Sequence, residues 1–293
     1  MKLVYDPDSE NKTEEEKVEH TLQGENVHEE IKDQHKKMKD KPFKEKVLYY
    51  IGYYKFHALA VIAAIAVIFF MVRSVVSQKD YSFCCMMVNS SLLDSELLSE
   101  SFADYANIDN EKYSCYIDTD SYESTDGSAG QADYATATRF MSLIQTGDLD
   151  CAVFDAINFG QDALNFSFTD LREVLSPEDL EKYKDRFYYI DYAYARKYQD
   201  MSAEEVMSHM VPDTKENQEK DMLLHTDTSS MEEPVPVGII LTDSAFKSKT
   251  YSYTNRVPVF GIIANTSRTE ESIAYLHFLF DENVDFNSMV KGL

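Results

Sequence analysis

The side chains able to do chemistry in this chain gather where apolar runs give way to polar residues. Asn89-Ser90, Asp118-Thr119-Asp120 and Asp155 with Asn158 each follow a stretch that reads as a buried strand, and Thr242-Asp243-Ser244 follows a fourth. In an open α/β sheet, ligands sit beyond the carboxyl ends of the strands. Asn89, Ser90, Thr119, Asp120, Asp155 and Asn158 are therefore the candidate ligand-binding residues, and so many acids would suit a polar small molecule with cationic character. The same residue types are ordinary turn and cap residues, which is the competing reading of each. A second group, Tyr188, Tyr189, Tyr192, Tyr194 and Tyr198, could stack a sugar or cage a cation. Alternating aromatics are equally what a half-buried strand presents, and the absence of Trp weakens a carbohydrate platform.

Metal and catalytic chemistry find little support. Asp118-Thr119-Asp120-Ser121-Tyr122-Glu123 starts like a calcium loop, but Glu123 stands where Gly is needed and Ala129 where the bidentate Glu belongs. The outer histidines are His209, His225 and His277, and no Gly-x-Ser-x-Gly, His-Glu-x-x-His or phosphate loop occurs. The expectation is a non-catalytic domain with no metal and no cofactor.

The elements that must position these groups begin at 81–89, nearly continuous in apolar residues, as a strand covered on both faces should be. A helix follows, with Ser91 and Asp94 as a capping box and Leu98, Phe102 and Tyr105 at helical spacing. A second strand at 113–118, a helix with Ala137, Phe140, Met141 and Ile144 on its buried stripe, a left-handed cap at Gly147 and a third strand at 150–155 complete the unit. Strand, helix, strand, helix, strand predicts a parallel sheet. Beyond it come a short helix near Leu171, another opened by Ser176-Pro177, an extended stretch at 187–194 and a charged, Met-rich surface insertion at 196–233. Strands at 235–241 and 257–264 and a helix capped by Ser267 and Glu270, with Ile273, Leu276 and Phe280 inside, end the chain.

Ahead of all this, residues 56–77 form an apolar run in which only Arg73 is charged. Roughly 20 helical residues cross the ~30 Å hydrocarbon core of a bilayer, so this run is expected to be a transmembrane helix in contact with membrane lipid. Lys37, Lys39, Lys41, Lys44, Lys46 and Lys55 precede it and only Lys79 follows Arg73, which puts the N-terminus in the cytoplasm and the C-terminal part outside the plasma membrane. Residues 44–55, with Tyr49, Tyr50, Tyr53 and Tyr54, suit an interfacial helix. Residues 1–43 read as a charged tail without a core, with Thr13 and Glu16 able to cap a solvated helix. A cleaved signal peptide would need a charged leader of about fifty residues, far outside the usual pattern.

Of the 28 basic and 52 acidic residues, 1–77 hold 12 and 13, which leaves 16 and 39 in 78–293 and a net charge of −23 there. Such a field repels nucleic acid and anionic polymers, so neither is an expected partner. Cys84, Cys85, Cys115 and Cys151 lie inside apolar runs with no zinc spacing. They read as core residues, with a bridge between neighbouring strands as the alternative.

Three blocks then carry a resemblance: Thr138-Arg139-Phe140-Met141 through Gly147-Asp148-Leu149-Asp150-Cys151-Ala152-Val153; Pro234-Val235-Pro236-Val237-Gly238-Ile239; and Val259-Phe260-Gly261-Ile262-Ile263-Ala264-Asn265-Thr266-Ser267 before a helix ending Tyr275-Leu276-His277-Phe278-Leu279-Phe280. Together they resemble the extracellular solute-binding proteins of the type 2 periplasmic-binding fold, and more closely uncharacterised single-pass proteins of anaerobic Gram-positive bacteria. The resemblance implies an α/β domain, its sheet parallel or mixed and flanked by helices, that captures a small solute or peptide between lobes. Two departures are visible: the anchor is a helix and the second lobe is reduced. They leave a second expectation in place, a cell-envelope scaffold that binds a membrane or envelope protein and no solute.

Overall fold

The structure, a computed structural model, describes Lys36 and residues 42–76, 79–90 and 92–292. Most of the charged tail, including Thr13 and Glu16, lies outside the described residues, as do Ser77 and Ser91. The chain divides into two units, Met1–Gln78 and Lys79–Leu293.

In the first unit, helix α1 (Phe43–Val76) runs unbroken for 34 residues, free of Pro and rich in Val, Ala and Ile. Every large apolar side chain described between Leu59 and Val72 is exposed, so this stretch joins no core among the described residues. Among the described residues, no helix is long and apolar enough to cross a membrane.

The second unit is α/β, with helices on both faces of one mixed, six-stranded sheet. Strand β1 (Tyr81–Met87), helix α2 (Ser95–Tyr105), strand β2 (Ser114–Asp118), helix α3 (Gln131–Thr146) and strand β3 (Cys151–Asp155) alternate, and β1 pairs in parallel with both β2 and β3. Then come α4 (Ala156–Ala163), α5 (Leu171–Val174), α6 (Pro177–Tyr183), β4 (Phe187–Asp191) and α7 (Tyr192–Tyr198). They are followed by α8 (Ala203–Ser208), α9 (Lys215–Thr226), β5 (Pro234–Ile240), α10 (Ala245–Lys249), β6 (Pro258–Ile262) and α11 (Thr269–Phe280). The order β2-β1-β3-β6-β5-β4 places β6 in the middle, antiparallel to both β3 and β5, with β4 antiparallel to β5 at the far edge. Only the first half of the sheet is therefore parallel. Pro258 falls on the last rung, opposite Asp155, where a missing N–H costs the ladder least.

Alternating side chains send each strand's apolar groups to both faces. One face, with Phe83, Cys85, Met87 and Val153, packs on Phe102 of α2 and Tyr275, Leu276 and Leu279 of α11. The other, with Cys84, Met86, Ala152 and Phe154, packs on Phe140 of α3 and on Ala156, Phe159 and Ala163 of α4. Gly238 on β5 and Gly261 on β6 admit Phe159, since a Cβ on either would sit 2.7 Å from its ring. Phe159 in turn stacks on Phe168, with ring centroids 4.3 Å apart. All four cysteines are free thiols, three of them buried, and burial pushes Cys115 up to about 12.

Several local expectations change for identifiable reasons. Helix α2 is capped by Asp94, whose carboxylate accepts from the Glu96 and Leu97 N–H groups. Helix α11 starts at Thr269 behind Arg268, with no side-chain cap, because Arg268 is held by Asp150 and Thr266 accepts the Arg268 N–H. The extended stretch stops at Asp191, where the carboxylate accepts the N–H groups of Ala193, Glu232 and Glu233 and turns the chain into α7. Tyr105, Ala137 and Met141, placed on inner stripes by spacing, are exposed. Segment 196–233 is largely exposed, yet it is not merely solvated: α9 packs on α4 and β4, and Gln218 is completely buried.

Candidate functional site

The carboxyl ends of β1 and β3 meet at Asp155. This side chain ends β3 and caps α4, and it is completely buried. Its Oδ2 accepts from Asn89 Nδ2 (2.8 Å) and Asn158 Nδ2 (3.0 Å), and its Oδ1 accepts from Gln218 Nε2 (2.7 Å). Asn89 reaches it from a left-handed backbone, φ 66°, a conformation Asn tolerates better than most residues. The Asn89 amide also brackets Glu123, accepting its N–H at 3.1 Å and donating to its carbonyl at 2.9 Å.

Three of the six strand-end candidates, Asn89, Asp155 and Asn158, thus share one network. Ser90 and Thr119 are buried and bonded to main-chain carbonyls of Met87 and Leu93. Asp120 stands apart on the surface in an ion pair with Lys291 at 2.8 Å. Asp118 is engaged by Arg139 at 2.9 Å, and Asp243 by Arg186.

The space at the strand ends is taken by Gln218 of α9, held there by flanking contacts. Asp213 pairs with Arg256, Gln218 Nε2 also donates to Asp213 (3.1 Å), and Thr125 donates to the Val211 carbonyl (2.6 Å). Two buried acceptors, Asn158 Oδ1 and Gln218 Oε1, have no protein partner. Burial, followed by the nearby Asp162, Asp155 and Asp133 carboxylates, pushes Glu123 up to about 8. Burial and then Asp155 push Asp162 up to about 7. Burial also raises Asp155, against the bonds from Gln218 and Asn89. Among the described residues, no three His, Cys, Asp or Glu side chains are grouped so as to hold a metal ion.

An open pocket lies one layer further out, between α4, α7, α8 and α9, with a cavity of about 300 Å³. Its apolar walls include Ile157, Leu164, Val206 and Leu224, and Tyr194 and Tyr198 of α7 contribute their rings. Tyr188 supports the pocket from below. Its hydroxyl donates to Asp221 Oδ2 at 2.7 Å, and His225 stacks on its ring with centroids 4.4 Å apart. Gly160 makes this approach possible, since a Cβ there would lie 2.6 Å from the Tyr188 hydroxyl. Burial, then the Asp221 carboxylate, holds the Tyr188 phenol well above its usual range.

Of the five tyrosines noted from sequence, only Tyr194 and Tyr198 line the pocket; Tyr192 packs on Phe166 at 5.0 Å. His209 and His225, set aside in the sequence as part of a surface insertion, both line it. The signal that could have found them is the i, i+4 pairing of Tyr194 with Tyr198 and of Asp221 with His225, each on one helix face. No family model, no curated protein and no solved structure matches this chain.

Proposed function

We propose that the chain is a membrane-tethered, non-catalytic receptor domain that captures a small organic solute in the pocket between α4, α7, α8 and α9. The observation that carries this is the pocket itself: apolar and aromatic walls, a few converging polar groups and a volume at the lower end of the usual range for ligand sites. The resemblance to extracellular solute-binding proteins agrees with the reading in kind but not in place, because the strand ends hold Gln218. Binding to the folded state must raise its stability. With the full chain in detergent, at least one member of a broad library of amino acids, short peptides, sugars and amines is expected to raise Tm by several degrees, and Tyr198→Ala is expected to abolish the shift. A library without any shift would overturn the proposal.

For the tether, we propose that residues 56–77 span the bilayer, with the N-terminus inside. The described side chains from 59 to 74 cover about 24 Å of helix, and α1 as a whole about 51 Å. As a helix, the 22 residues 56–77 of the proposed span cover about 33 Å, enough for a ~30 Å hydrocarbon core. Protease added to intact cells is expected to remove the acidic domain and leave a short membrane-bound fragment; survival of the domain until the cells are lysed would refute this orientation.

A second reading, an envelope scaffold, is favoured by the buried Gln218, which fills the strand ends with the chain's own side chain. It requires a membrane or envelope protein that co-purifies with the full chain and is lost when 79–293 is deleted.

A further inference from the structure

We propose that the outer edge of β2 docks an extended, basic peptide segment of another protein, which adds to the sheet as a further strand. This surface is separate from the pocket between α4, α7, α8 and α9, and the proposal does not rest on that pocket. Strand β2 ends the sheet and pairs on one side only, with β1. The hydrogen bonds tell which of its peptide groups face outward. The Asp150 N–H donates to the Cys84 carbonyl at 2.9 Å and the Cys84 N–H to the Asp150 carboxylate at 2.8 Å, so Cys84 faces β3, and Phe83 and Cys85 face β2. Cys115 lies level with Phe83 and Ile117 with Cys85, so Tyr116 between them bonds to β1 while the main chains of Cys115 and Ile117 point away from the sheet. Helix α2 closes one of these two positions: Ser99 Oγ accepts the Ile117 N–H at 2.9 Å and Ser95 Oγ donates to the Ile117 carbonyl. The other stays open. Among the described residues, the Cys115 N–H and C=O have no protein partner.

Cys115 borders a groove of about 410 Å³, walled by Ser114, Cys115 and Tyr116 on one side and by Ser95, Glu96 and Glu100 of α2 on the other. Its side chain packs against the core with Phe102 and Tyr275, so what it offers the groove is main chain. The strand Ser-Cys-Tyr-Ile-Asp carries neither Pro nor Lys to blunt its edge, and its charge, Asp118, is paired with Arg139. An extended chain suits such an edge: main-chain bonds give affinity, and alternate side chains give specificity. The residue set opposite Cys115 exchanges both bonds with it and turns its side chain to the same face as Cys115, toward α2. There Glu96 and Glu100 are exposed and pair with no basic side chain among the described residues, so Lys or Arg belongs at that position. Lys79 at the rim already donates to the Asn110 carbonyl. The next side chain points to the other face, beside the half-buried Tyr116, and an apolar residue fits there. A second copy of this chain is the poorer occupant, because a net charge of −23 over 78–293 repels itself.

The test titrates the full chain in detergent with the capped peptide Lys-Val-Lys-Val-Lys-Val and two relatives, Glu-Val-Glu-Val-Glu-Val and the lysine peptide methylated at the main-chain nitrogens of its lysines. The lysine peptide is expected to bind at least about tenfold more tightly than either relative, since one relative reverses the charge and the other removes the main-chain donors. Amide exchange locates the contact: at saturation the Cys115 N–H should exchange at least about tenfold more slowly, while the Tyr116 N–H, already bonded in the ladder, changes little. Glu96→Lys combined with Glu100→Lys changes only exposed side chains, and it should reverse the order of the lysine and glutamate peptides. Equal binding of the methylated or the glutamate peptide would overturn the proposal, as would protection that falls elsewhere than 113–116. No binding of the lysine peptide up to about 1 mM, the range of a weak encounter, would overturn it too. Protection of Cys115 that rises with protein concentration alone, together with dimer formation, would give the edge to a second copy and refute the basic segment.

Discussion

Replacing Glu123 with glutamine is expected to stabilise the domain by about 2 kcal/mol at pH 8.5 and by no more than about 0.5 kcal/mol at pH 4.5. Burial and the Asp162, Asp155 and Asp133 carboxylates raise the Glu123 carboxyl to about 8 in the folded chain. An acid whose folded pKa is raised holds its proton more firmly when folded. Its stabilising contribution is complete below its unfolded pKa of about 4.3 and is lost as pH rises through about 8. Asp162, raised to about 7, adds a loss of the same sign slightly earlier. The full shift would be worth nearly 5 kcal/mol at 1.36 kcal/mol per unit; Glu123 is only partly buried, and solvent screening reduces the effect to about 2. The other groups facing this acid are Asn89 and, through Asp155, Gln218 and Arg256; none of them supplies a direct cationic partner to its carboxylate. Urea unfolding at the two pH values checks the result. An equal gain at both would mean that the glutamine acts by packing, and the charge argument would be wrong.

That acid pair also marks how far the sequence could be read. The apolar runs of β1, β3 and β5 and the caps at Gly147 and Ser176 are local features, and each appears where its residues say it should. Asp155 was legible as a strand end, though not as the start of α4, because one carboxylate serves both purposes and α4 has no separate cap signal. The antiparallel place of β6 depends on a pairing between β3 and a strand about a hundred residues later, which no periodicity encodes. The pocket was hidden for a related reason. Its histidines and Gln218 lie in a charged, Met-rich stretch whose average composition says surface, while the burial of Gln218 is set by Asp155, 63 residues away. The histidines and tyrosines were visible separately, and only the pocket that α7, α8 and α9 line together makes them one site.

Asp150→Ala should be among the most damaging single substitutions in the domain, costing about 3–5 kcal/mol and, for a unit of this size, lowering Tm by about 10 °C. Asp150 is completely buried just before β3. Its carboxylate accepts the Cys84 N–H at 2.8 Å, the Thr266 hydroxyl, and Arg268 Nε at 2.9 Å to each oxygen. Arg268 also donates to the carbonyls of Gly147 and Asp148. One side chain therefore ties β1, the turn after α3 and the start of α11 together. Burial raises the Asp150 carboxyl, and the bonds from Thr266, Arg268 and Cys84 oppose that rise. Alanine leaves a largely buried guanidinium without its counter-charge and an unbonded Cys84 N–H, which is why the loss exceeds that of an exposed pair. Arg268→Met makes the converse error, stranding a buried carboxylate, and is expected to cost a similar amount. Because the two changes remove one interaction, the double variant should be at least about 2 kcal/mol more stable than the sum of the single losses implies. Urea midpoints of the four proteins measure that coupling. Strict additivity would show that Asp150 acts through Cys84 and Thr266 alone and that the pairing with Arg268 does not hold α11 to the sheet.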